Sequence, residues 1–130
     1  MTFDAIGIAG SSLAVHRKWL DAISDNIANI NTARRTDEAA FQARYLVVQA
    51  GEGTSGVYVE SDAYGSAEGR LAYDPTNPLA DADGMVRMPD IDLATQMSAL
   101  IMAQRGYQAN AAVVDRARES YLAALQIGRS

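Results

Sequence analysis

The chain has 130 residues, no cysteine and a single histidine, His16. Without cysteine there is no disulfide framework, no thiol chemistry and no Cys-based metal site. One histidine excludes clustered His ligation. No apolar run approaches the ~18 residues that a membrane span needs. Residues 1–13 contain Asp4 and several Gly and Ser rather than a basic start followed by an apolar block, so no cleaved signal peptide is expected. Basic residues are in deficit, 11 Lys and Arg against 16 Asp and Glu, and a net charge of −5 argues against a nucleic-acid binder. The length suits one domain with a modest core.

The deficit is local. Residues 39–90 hold three basic and eight acidic groups, whereas residues 1–38 hold four and five, and residues 91–130 hold four and three. The acidity sits in the middle, and the two ends are nearly balanced.

The pattern predicts an α+β chain: two long N- and C-terminal helices forming an antiparallel coiled-coil-like pair, with a small β-hairpin and irregular middle segment. Three parts follow, an N-terminal assembly helix and motif over 1–34, an outward-facing β/loop segment over 35–89, and a C-terminal assembly helix over 90–130. In the first part Ile6, Leu13, Leu20 and Ile27 recur at heptad spacing, with Ala9, His16, Ile23 and Ile30 as the companion set. In the last part Leu93, Leu100, Tyr107, Val114 and Tyr121 repeat the spacing, and Met97, Ala111 and Leu125 extend the stripe. Asp90 or Asp92, after Pro89, suits an N-cap, and Gly128 suits a C-terminal cap. Residues 44–49 and 57–60 read as strands around a Gly-rich turn, 71–73 as a third short strand, and 74–84 as loop. Residues 33–43 are open between loop and helix.

Three motifs invite a chemical reading. Gly51, Gly53 and Gly56 spell GxGxxG, but a dinucleotide site needs a helix to follow, and the strand-like Val57-Tyr58-Val59-Glu60 follows instead; a hairpin turn is expected. Asp81-Ala82-Asp83-Gly84 resembles the middle of a calcium loop, yet Leu79 would occupy the first ligand position, so an Asx-rich turn is expected. His16 has no nucleophile beside it and reads as a helix-contact residue. No nucleophile, base and oxyanion site assemble, so neither an enzyme nor a cofactor or metal is expected.

The end helices differ from ordinary surface helices. Between Ile91 and Val114 only Asp92 and Arg105 are charged, where a solvated back face would carry Lys, Glu and Arg. The segment 5–15 is also uncharged and rich in Gly, Ser and Ala. Such faces predict packing against further chains, the seams serving the chain's own helix pair and the back faces its neighbours. The stretch Ser24–Thr32 holds three asparagines. With Ile27 and Ile30 on the seam, Asn29 falls on the opposite face, Asn26 to one side, and Asn31 at the helix end. These amides are read as polar contacts to a second neighbour. The assembly interface is therefore assigned to Leu13, Leu20, Ile23, Asn26, Ile27, Asn29, Ile30, Asn31, Leu93, Met97, Leu100, Tyr107, Asn110, Val114, Tyr121 and Leu125.

The segment Asn26-Ile27-Ala28-Asn29-Ile30-Asn31-Thr32, the run Asp74–Gly84 continuing through Val86-Arg87-Met88-Pro89, and the ends Arg105–Asn110 and Leu125–Arg129 occur in a familiar order. The sequence resembles the bacterial flagellar axial proteins, most closely the C-type proximal rod subunits. Ser24-Asp25, Met85 and Asp90-Ile91-Asp92 depart from their usual pattern. The resemblance implies a structural, non-enzymatic subunit of the flagellar basal-body rod that leaves the cytoplasm through the flagellum-specific type III export channel without a cleaved signal peptide. It implies partners among other rod subunits, copies of itself and the export apparatus, with no nucleic acid, no small-molecule substrate and no membrane span. It also implies that the subunits stack helically, their terminal helices forming an inner layer, and transmit torque. The alternatives are a helical subunit or adaptor of another secretion-type assembly and, more remotely, a nucleotide-binding module on the Gly51–Gly56 turn.

Overall fold

The computed structural model describes residues 2–129. The element order is α1 (Thr2–Ala28), β1 (Arg44–Ala50), β2 (Val57–Tyr64), β3 (Arg70–Tyr73), β4 (Met85–Met88) and α2 (Leu93–Gly128). Two long helices thus bracket a middle built of two separate two-stranded sheets, β1–β2 and β3–β4. The chain divides into two compact units. Unit 1 comprises Met1–Leu20, Leu46–Ser61 and Ile101–Ser130, and unit 2 comprises Asp21–Tyr45 and Asp62–Leu100.

In unit 1 the helices approach through small residues. Ala9, Val15 and Ala103 are buried, and Gly106 meets the imidazole of His16 so closely that a Cβ there would overlap the ring. His16 Nδ1 lies 2.7 Å from the Ser12 carbonyl, which can only accept, so Nδ1 carries the proton and the ring is fixed to its own helix. The Trp19 ring stands 6.0 Å from it, tilted by 55°. His16 is the helix-contact residue the sequence predicts.

The Gly51–Gly56 stretch is the tip of the β1–β2 hairpin. Gly51 N–H donates to the Gly56 carbonyl at 2.7 Å, and strand β2, not a helix, follows. Gly56 adopts φ 81°, a region that only glycine enters without strain. It also lies directly on Ser11, where any side chain would collide with the Ser11 hydroxyl.

In unit 2 the core is Ala22, Ile23, Ala40, Ala43 and Val86, with Pro89 beside them. Residues 33–43 are not helical; they run as irregular chain that places Ala40 and Ala43 inward. β3 pairs with β4 antiparallel, Ala72 opposite Val86 and Leu71 opposite Arg87. β4 has no counterpart among the strands expected from the sequence, and β2 runs on to Tyr64 rather than stopping at Glu60. Arg87 ties this unit together. Its N–H and carbonyl exchange hydrogen bonds with Arg34 at 2.9 and 2.8 Å. Its guanidinium donates to the Thr36 carbonyl at 2.8 Å and to the Glu68 carbonyl. The Asp81–Gly84 run is an Asx turn, as its sequence suggests: Asp81 Oδ1 accepts from the N–H groups of Asp83 and Met85, both at 2.9 Å. Those donors, Met85 first, hold the Asp81 carboxyl below its ordinary value.

The helix ends are defined by side chains. Asp92 Oδ2 accepts from the Thr95 N–H at 2.9 Å and the Thr95 hydroxyl at 2.6 Å, making Asp92 the N-cap of α2. Gly128 does not act as a left-handed C-terminal cap: it lies inside α2 and its φ is not positive. α1 ends at Ala28, before the expected Ile30, because Asn29 closes it. Asn29 Nδ2 donates to the Asp25 carbonyl at 2.8 Å, and its Oδ1 accepts from the Thr32 hydroxyl at 3.1 Å.

Candidate assembly interface

The residues assigned to an interface from the sequence separate into two groups. Ile23 is buried, and Leu13, Leu20, Ile27, Ile30, Leu100, Asn110 and Val114 are half-buried within the chain. Asn31, Leu93, Met97, Tyr107, Tyr121 and Leu125 are exposed. On α1 the heptad seam is the inward face. On α2 the inward face is rotated from the expected stripe. Gln96 and Ala103 are buried, with Ala99, Leu100, Gly106 and Asn110 beside them half-buried. The heptad rule selects the largest apolar residues, whereas the inward face mixes the small Ala99, Ala103 and Gly106 with Gln96 and Leu100. Gly106 fits against His16 of α1, where a larger residue would overlap the ring.

The asparagines need a correction. Asn26 does not lie at the side of α1 awaiting another chain; it is 1% exposed. Its Oδ1 accepts from the Arg44 N–H at 2.8 Å, and its Nδ2 donates to the Arg44 carbonyl at 3.0 Å and to Gln96 Oε1 at 3.2 Å. The carboxamide thus pairs with Arg44 as a neighbouring peptide group would, and Gln96, itself buried, completes the set. Asn29 likewise uses its amide at the helix end, and Asn110 Nδ2 returns to the Gly106 carbonyl at 2.8 Å. Of the three asparagines in the Ser24–Thr32 stretch, Asn31 is the one that is exposed.

What remains outside is apolar. Along α2, Ile101, Met102, Val113, Leu122 and Ile127 join the exposed residues of the expected stripe. The heptad register missed these five because they fall between its positions. An open groove of ≈ 440 Å³ is lined by Ala112, Val113, Arg116, Ala117 and Ser120. From Leu93 to Val114 only Arg105 is charged. A helix with many exposed apolar residues and almost no charge over this stretch suits cover by another chain rather than water. Among the described residues no group of three His, Asp or Glu gathers as a metal site, and no helix is long and apolar enough to cross a membrane.

Comparison with known proteins places the chain in a family. The family described as Flagellar basal body rod FlgEFG protein C-terminal matches residues 82–127, that is β4 and nearly all of α2. The chain is 37% identical over 126 residues to the flagellar basal-body rod protein FlgC of Salmonella typhimurium, covering 94% of each chain. The chain belongs to the FlgC family of flagellar basal-body rod proteins. FlgC of Borreliella burgdorferi is 28% identical over 149 residues, 96% of each chain, and FlgC of Bacillus subtilis 26% over 147 residues, 98% of each. FlgC relatives from different bacteria thus match over nearly the whole length of the chain. The family is one of structural rod proteins, which agrees with a molecule whose prominent outward feature is an apolar helix face.

Proposed function

We propose that the chain is a structural subunit of the proximal rod that polymerises helically with copies of itself and other rod subunits and transmits torque. The observation that carries this reading is the exposed apolar face of α2, in a chain that belongs to the FlgC family. Covering one half-exposed Leu, Ile or Met contributes about 1 kcal/mol, so a neighbour seated along this face would gain several such increments. A rod subunit also needs no substrate site, and the reading is of a non-enzymatic protein without cofactor, nucleic-acid or small-molecule partner. In this reading 1–34 and 90–130 are the assembly segments, and 35–89 faces outward. Export proceeds from the cytoplasm through the flagellum-specific apparatus without a cleaved signal peptide. The test is a deletion strain of the source bacterium: it should lack rods and hooks and recover both when the chain is supplied in trans. Normal flagella in the deletion strain would overturn the assignment.

A further inference from the structure

In each unit the β1–β2 hairpin meets α1 through a hydrogen bond from side chain to backbone, and in unit 2 the Arg44 side chain also pairs with Asp25 of α1 at 3.1 Å. In unit 2, Asn26 of α1 bonds both main-chain groups of Arg44, the first residue of β1. In unit 1, the Ser11 hydroxyl of α1 accepts from the N–H of Val57, the first residue of β2, at 3.0 Å, and donates to the Ile8 carbonyl at 2.7 Å. Both attachments join an α1 side chain to hairpin backbone. Neither uses a hairpin side chain, whereas the Arg44–Asp25 ion pair does. Gly56 completes the second attachment, because only a residue without Cβ lets the turn reach Ser11.

The hairpin's own side chains are sorted accordingly. Leu46, Val57 and Val59 are half-buried, whereas Tyr45, Val47, Val48, Tyr58 and Tyr64 are exposed. A strand held by its main chain keeps its position whatever its outward residues are, since amide and carbonyl groups are common to all of them.

We propose that α1 is a sequence-tolerant mount for the hairpin: Asn26 and Ser11 fix its backbone at two independent points, and its outward residues are free to change without moving it. The mount is a property of the isolated chain and does not depend on the rod reading. It separates the contacts that place the hairpin from the surface the hairpin presents.

Amide hydrogen exchange on the purified full chain tests this. Ser11→Ala should speed exchange at Val57 about tenfold while leaving Arg44 unchanged, and Ser11→Thr, which keeps the hydroxyl, should restore protection. Asn26→Ala should expose the Arg44 amide and spare Val57. Because Asn26 is buried and its loss could unfold unit 2, the Ser11 pair carries the test if that variant does not fold. Tyr45→Thr, Val47→Thr and Tyr58→Thr together should leave both amides as protected as in the parent. The mount is refuted if Ser11→Ala leaves Val57 protected, if it releases Arg44 as well, or if the outward triple variant frees either amide.

Discussion

The imidazole of His16 lies so close to Gly106 that a Cβ at residue 106 would overlap Nε2 and Cδ2. The ring cannot simply swing away, because Nδ1 is held by the Ser12 carbonyl. Gly106→Ala should therefore destabilise the chain by about 1–2 kcal/mol, the overpacking cost exceeding the ~1 kcal/mol that alanine ordinarily returns inside a helix. Urea unfolding of Gly106→Ala, His16→Ala and the double variant gives the coupling. The double variant should recover stability relative to Gly106→Ala alone, and additive losses would count against direct contact.

Asn29 closes α1, so its replacement should be felt in the isolated chain. Asn29→Ala removes a donor to Asp25 and an acceptor for Thr32, and a loss of about 0.5–1.5 kcal/mol is expected in chemical denaturation. Motility of the same variant separates this role from an additional contact with a neighbour. A stability loss with swimming intact assigns Asn29 wholly to the helix end.

Acid should weaken the fold through two carboxylates. The Asp92 carboxyl is held below its ordinary value of 3.8 by the Thr95 hydroxyl first and the Thr95 N–H second, and Asp81 is held below it by the Met85 N–H. A carboxylate whose folded pKa is depressed contributes its stability above the unfolded value and loses it as pH falls through the folded one. Stability should thus be level near neutrality and decline as pH drops from about 4 downward. Asp92→Asn keeps an N-cap oxygen but removes the charge, so it should shallow the acid limb while changing stability at pH 7 little. Thermal unfolding between pH 2 and 7 measures both.

On the outward face of α2, Met97 and Ile101 are 45% and 49% exposed. Met97→Asp or Ile101→Asp should change the stability of the isolated chain by less than about 0.5 kcal/mol, as surface substitutions do. Either should abolish rod formation in a complemented deletion strain, scored by motility and by electron microscopy of basal bodies. A charged face that still builds rods would show that neighbours do not use this stripe.

Much of the fold is written locally in the chain. The heptad of α1, the Asp92 cap, the glycine-rich hairpin tip and the Asx turn at Asp81 each depend on residues within a few positions of one another. β4 was not legible, because Val86-Arg87 acquires strand geometry only from Leu71 and Ala72 across the sheet. The role of Asn26 was not legible either. Besides Gln96, its partners are the main-chain groups of Arg44, and backbone leaves no mark on sequence at the receiving end. On α2 the large residues advertised a seam, but the inward face follows from what α1 offers opposite it, a histidine ring that only Gly106 admits.

Near His16, α2 puts small residues inside. Ala103 and Gly106 point one way and Met97, Ile101 and Met102 the other, while charge is scarce around much of its circumference. Solvation therefore exerts little preference over how this helix is rotated about its axis, and steric fit has to decide it. The orientation should accordingly tolerate a change of hydropathy on the outside better than a single added methyl group on the inside.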